Sequence, residues 1–99
     1  MMGDQEEPAA KCAILYRRLA HGIADVSNAA GATSEAVSRL NAVAARMREL
    51  CQEVERLLET CAEETISESS PFWGKLNAVQ RECSRLEGIL RGCDVALMR

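Results

Sequence analysis

The chain has 99 residues, a formal charge of −3, 27% charged residues and three aromatics, Tyr16, Phe72 and Trp73. That length holds one domain with a modest core. The acids and bases are interspersed, which argues against the basic patch that a nucleic acid or an anionic membrane surface requires.

Residues 1–7 are acidic and polar, and read as a disordered leader rather than a secretory signal or transit peptide. Pro8 suits the first turn of a helix, where a missing N–H costs nothing. From there Cys12, Tyr16, Leu19, Ile23, Val26 and Ala30 repeat at four-three spacing, the mark of one buried helical face. Ala13, Ile14, Leu15 and Ala20 widen the stripe, and Gly22 weakens the helix by about 1 kcal/mol relative to Ala.

Asn28 and Gly31 are stop signals, and Thr33 or Ser34 is a candidate cap for a new helix. The phase nevertheless runs on through Thr33, Val37, Leu40 and Ala44. A continuous helix must preserve phase and a turn has no need to. The pattern therefore predicts one long helix over residues 8–66, bent near Gly31, with a break into two helices across 28–34 as the alternative. Such a helix would be a rod of about 88 Å.

The segment from Leu40 to Cys61 is the most strongly helical. Leu40, Ala44, Met47, Cys51, Val54, Leu58 and Cys61 form one seam, and Leu40, Val43, Met47, Leu50, Val54, Leu57 and Cys61 form a second. Together they make a stripe wider than the a/d line of a two-stranded coiled coil. Residues 67–70 break the pattern, and Ser70-Pro71 is an N-cap followed by proline at the first helical position. The last helix, 71–98, carries Phe72, Leu76, Val79, Cys83, Leu86, Leu90, Cys93 and Leu97 in four-three order. A loop this short makes its flanking helices antiparallel neighbours. Pairing about the loop centre sets Leu86 near Cys51, Cys83 near Val54 and Leu76 near Cys61, with no two cysteines level. The expected fold is all-α: an elongated antiparallel helical hairpin or coiled-coil bundle with a long first helix and a shorter second one.

No chemistry is spelled out along the chain. The five cysteines include no C-x-x-C and sit on apolar seams, where a thiol behaves as a small hydrophobe. That usage suits a reducing compartment, cytoplasm or nucleus. His21 is the one histidine, with no second ligand at zinc spacing and no cysteine at the i, i+4 spacing that would make it a general base. The acids of the central stretch lack the Glu-x-x-His of carboxylate-bridged metal bundles. Catalytic, cofactor and metal residues are therefore expected to be none, and the chain is not expected to be an enzyme. No apolar run approaches the roughly 18–20 residues that cross a bilayer.

In a hairpin, the last helix covers only the second half of the long one. The apolar face from Cys12 to Val37 would then need a partner. The candidate partner-binding residues are Tyr16, Leu19, Ile23, Val26, Val37, Val43, Leu50, Leu57 and Trp73. Tryptophan is enriched at binding hot spots, although Trp73 at a helix start also suits a seal against Thr65 and Ile66. The expected function is a small non-catalytic structural subunit of a hetero-oligomeric helical complex, such as a kinetochore, tethering, cytoskeletal or transcription-bridging scaffold. The alternative is a self-contained or homodimeric helical adaptor that modulates another protein. Expected partners are other α-helical subunits or a second copy, without nucleic acid or membrane insertion.

Overall fold

A computed structural model describes residues 3–27 and 34–97, and the side chains of residues 7–27 and 34–92. Three helices follow in order: α1 (Gly3–Ser27), α2 (Ser34–Glu63) and α3 (Pro71–Leu97). Strands are absent among the described residues. Tyr16 Oη of α1 donates to Glu55 of α2 at 3.4 Å, so α1 runs back along α2. Arg46 of α2 reaches Glu82 of α3. Lys11 lies 5.4 Å from the Trp73 ring centre and Arg18 bonds Glu87, so α3 is antiparallel to α2 and parallel to α1.

The two-helix hairpin is thus corrected to a three-helix arrangement. Residues 28–33, where the sequence carries both the break signals and the unbroken phase, lie outside the described residues. The physical reason is burial. A straight continuation would leave the apolar face of residues 12–26 in water, whereas folding back sets Cys12, Leu15 and Leu19 at 0–1% exposure. Preserved phase does not oppose this, because a helix that returns onto its successor also presents one regular stripe. The Cα envelope measures 51 × 18 × 17 Å, well short of the expected rod. Its radius of gyration, 15.7 Å, exceeds the ~13 Å of a compact domain of this length, so the bundle is elongated. The first helix begins at Gly3, upstream of Pro8, which is buried within it.

Each helix contributes a full turn-by-turn stripe to one core. Cys12, Leu15 and Leu19 come from α1, and Phe72, Leu76, Val79, Cys83, Leu86 and Leu90 from α3. Both seams of α2 are buried: Leu40, Val43, Ala44, Met47, Leu50, Cys51, Val54, Leu57 and Cys61. Two neighbouring helices rather than one explain the width of that stripe. On α1 the buried line keeps Cys12 and Leu19 of the expected seam and takes Leu15 where Tyr16 was expected. Leu15 is 1% exposed, whereas Tyr16 is 37% exposed. Among the described residues no polar or charged side chain is buried.

The α2–α3 turn is closed by its own polar groups. Ser70 Oγ accepts from the Phe72 amide at 3.2 Å, and the Ser70 carbonyl accepts from the Trp73 amide. That is the N-cap read from Ser70-Pro71. Trp73 Nε1 donates to the Ser67 carbonyl at 2.9 Å, and its ring stands edge-on to Phe72 with centroids 5.2 Å apart. Ile66, in the same turn, is buried. The α2–α3 register differs from loop-centred pairing. Leu86 shares a groove with Val43, and Val79 shares one with Leu50, so α3 is displaced toward the start of α2.

Candidate interaction surface

Of the nine residues assigned to partner binding, Leu19, Val43, Leu50 and Leu57 lie in the chain's own core. Ile23 and Val26 are half-buried and pack against that core. Trp73 is half-buried and seals the turn. Tyr16 and Val37 remain on the surface, 37% and 40% exposed. The premise of an uncovered face from Cys12 onward fails, because α2 and α3 cover most of it. The most exposed large apolar side chain on α1 is instead Ile14, at 58%. It stands one residue before the buried Leu15.

Folding α1 back also brings two thiols together that the hairpin kept apart. Cys12 and Cys61 stand close enough across the α1–α2 contact for each thiol to shift the titration of the other. Burial, and then the neighbouring Cys61, pushes the Cys12 thiol up to about 12. Burial is also the largest cause of the upward shifts of Cys51, Cys61 and Cys83. Since thiolate is the nucleophile and the metal ligand, these buried thiols are held in their unreactive form. Cys93 lies outside the residues with described side chains.

His21 stands on an exposed edge beside Arg18, Asp25, Glu87 and Arg91. Among the described residues, no group of three His, Cys, Asp or Glu side chains is arranged to hold a metal ion. No described helix is long and apolar enough to cross a membrane.

A groove of about 660 Å³ opens between α2 and α3. Val43 and Leu86, each 3% exposed, form its floor, and Ala42, Ile89 and Gly92 widen the apolar part. Arg39, Arg46 and Arg85 stand around it. Arg46 grips Glu82 through Nε and Nη2, at 2.6 and 2.7 Å, and reaches Glu49 at 3.0 Å. Arg85 adds a 3.3 Å contact to the same Glu82. The Arg46 hydrogen bonds hold the Glu82 carboxyl below its usual range, with Arg85 contributing less. None of these acids lines the groove itself. A second groove, walled by Leu50, Ala78 and Val79, mixes Arg46, Arg56 and Lys75 with Glu53 and Glu82.

Sequence periodicity does not reveal Arg39, Ala42, Arg85, Ile89 and Gly92, because it locates the buried line and these residues border it. Ile89 carries a weak signal as an apolar residue one position off the seam of α3.

No family model, curated protein or solved structure matches this chain.

Proposed function

We propose that the chain is a non-catalytic helical adaptor of the cytoplasm or nucleus, a bundle complete in itself that binds another protein. The observation behind this reading is the contrast between core and groove. Most apolar side chains of the three helices are packed inside one chain, while the α2–α3 seam leaves an open groove edged by Ala42 and Ile89. Grooves of that kind are where helical partners dock. The thiols, the only strong nucleophiles among the described side chains, are buried and protonated. That favours binding over catalysis.

A second reading is an obligate subunit of a hetero-oligomeric helical assembly, of the kinetochore, tethering, cytoskeletal or transcription-bridging kind. The exposed Ile14 and Val37 favour it. Light scattering on the purified, reduced chain, with circular dichroism across a melt, separates the two. A helical monomer or defined dimer with one cooperative transition supports the adaptor. An aggregated or half-helical species overturns it in favour of the obligate subunit.

A further inference from the structure

We infer that the α2–α3 groove receives a single amphipathic helix of a partner protein, about two turns deep, whose apolar stripe is flanked by carboxylates. This rests on the adaptor reading and specifies its partner. Three observations carry it.

The first is backbone chemistry. All eight lining residues belong to the interiors of α2 and α3, whose own N–H and C=O groups are already paired along the helix. The walls therefore offer side chains only. An extended segment laid on Val43 and Leu86 would desolvate its backbone with nothing to receive it, and an unpaired buried backbone group is costly. A helix arrives with those groups satisfied.

The second is dimension. The lining runs from Arg39 to Arg46 on α2 and from Arg85 to Gly92 on α3. At ~1.5 Å per residue each wall is about 10 Å long, which is two helical turns. That length takes apolar side chains at i, i+3 or i+4, and i+7. Such a helix would become the fourth of a bundle, the ordinary way for two packed helices to complete an open seam.

The third is charge. The chain is acidic overall, yet among the described residues the groove is lined by three arginines and no acid. Arg46 is matched by Glu82 and Glu49, but Arg85 shares Glu82 with it. Among the described residues Arg39 pairs with Glu35, at 3.4 Å with side chains 60% and 85% exposed. Exposed pairs of that kind contribute little, so Arg39 and Arg85 can turn to a partner's carboxylates at little cost. Cations on both walls select a helix with acids on both flanks of its stripe.

The test uses the full chain and a fluorescein-labelled 18-residue helical peptide with a leucine stripe flanked by glutamates. Controls are the same peptide with lysines for glutamates, and sodium dodecanoate as a small anionic amphiphile. The glutamate peptide is expected to bind at least 10-fold more tightly than the lysine peptide. Arg39→Glu and Arg85→Glu, both at exposed positions, should each weaken it about 5-fold or more with helicity unchanged, and Ile89→Ala should do the same through the apolar wall. Equal binding of the two peptides, or indifference to the arginine reversals, overturns the proposal. Binding of dodecanoate but not peptide overturns it in favour of a small amphiphile, and a homodimer dissolved by Arg39→Glu overturns it in favour of a second copy. Cross-linking in cells separates this from the adaptor reading. A stoichiometric protein partner retained by the Arg39→Glu/Arg85→Glu chain removes the groove proposal and leaves the adaptor standing, whereas no stoichiometric partner at all removes both.

Discussion

Gly22 of α1 lies against the end of the Met47 side chain of α2, so closely that a Cβ at position 22 would stand 2.7 Å from both Sδ and Cε. Leu90 Cδ1 of α3 would be 3.3 Å away. All three helices meet at this glycine, and the absence of a side chain is what lets α1 settle. Met47 is flexible, but it is 0% exposed, so its end can yield to a Cβ only by repacking within the core. Gly22→Ala should therefore lose stability: overpacking costs about 1–3 kcal/mol, against a helix-propensity gain of about 1 kcal/mol. A net loss of about 1 kcal/mol is expected in urea denaturation. Gly88 is the internal control, since a Cβ added there would meet nothing within 4 Å. Gly88→Ala should gain about 0.5–1 kcal/mol. Equal gains at both positions would mean that α1 is not seated on α2 and α3.

The seating of α1 can be watched directly. Trp73 is the single tryptophan; its indole bonds the Ser67 carbonyl, and Lys11 of α1 lies over its ring. Its fluorescence therefore reports both the turn and the docked α1. In thermal or urea unfolding, the fluorescence and helicity transitions should coincide, as one cooperative unit requires. Leu19→Ala, at a fully buried site of α1, should lower stability by about 2–5 kcal/mol and shift both transitions together. A variant that loses α1 helicity while the remaining signal melts unchanged would show two independent parts.

How much of this is legible in the sequence differs by element. The α2 stripe can be read nearly residue for residue, and so can the start of α3, because Ser70-Pro71 acts locally and the structure shows its hydrogen bonds. The path between α1 and α2 cannot. Heptad phase records that a face is buried, but not whether the next helix or another chain buries it. Once α1 folds back, the apparent partner-binding set of Leu19, Val43, Leu50 and Leu57 becomes core. The same step makes the Cys12–Cys61 contact, which no spacing rule encodes because it joins residues of different helices. The groove escapes for a related reason. Its walls are half-polar positions flanking the seam, and they become a surface only when α2 and α3 are set in register.

The buried thiols make stability fall on the alkaline side. The Cys12 pKa is raised from about 9 to about 12, so the folded state keeps a proton that the unfolded chain gives up. The stabilising difference is whole below about pH 9 and is lost as pH rises toward 12. Cys51, Cys61 and Cys83 shift in the same direction. Unfolding free energies from urea titrations under reducing conditions should hold steady from pH 7 to 8.5, then fall by up to about 1.4 kcal/mol per pH unit for each thiol that stays protonated. In Cys12→Ala the plateau will sit lower, because a core contact is lost, but the alkaline slope should be shallower. An unchanged slope would mean that Cys12 titrates normally in the folded chain.

On the acid side, two bridges between helices among the described residues contribute to the slope. Arg18 bonds Glu87 through Nε at 3.1 Å and through Nη2, tying α1 to α3, and Arg46 bonds Glu82, tying α2 to α3. In each pair the guanidinium hydrogen bonds hold the carboxyl below its ordinary value near 4.5. For a carboxyl lowered in the folded state, the contribution is present above the unfolded value and is lost as pH falls through the folded one. Stability should therefore begin to drop below about pH 5. The side chains of these pairs are 25–43% exposed, so each bridge should contribute no more than about 1 kcal/mol. A double-mutant cycle on Arg18→Ala and Glu87→Gln at pH 7 should give a coupling in that range. The same cycle at pH 3 should give a smaller one, because the carboxylate is then partly neutralised. High salt should also shrink the pH 7 coupling, since partly exposed charges are screened. A coupling that is indifferent to both acid and salt would assign the Arg18–Glu87 contact to packing of the arginine stem against α3 rather than to charge.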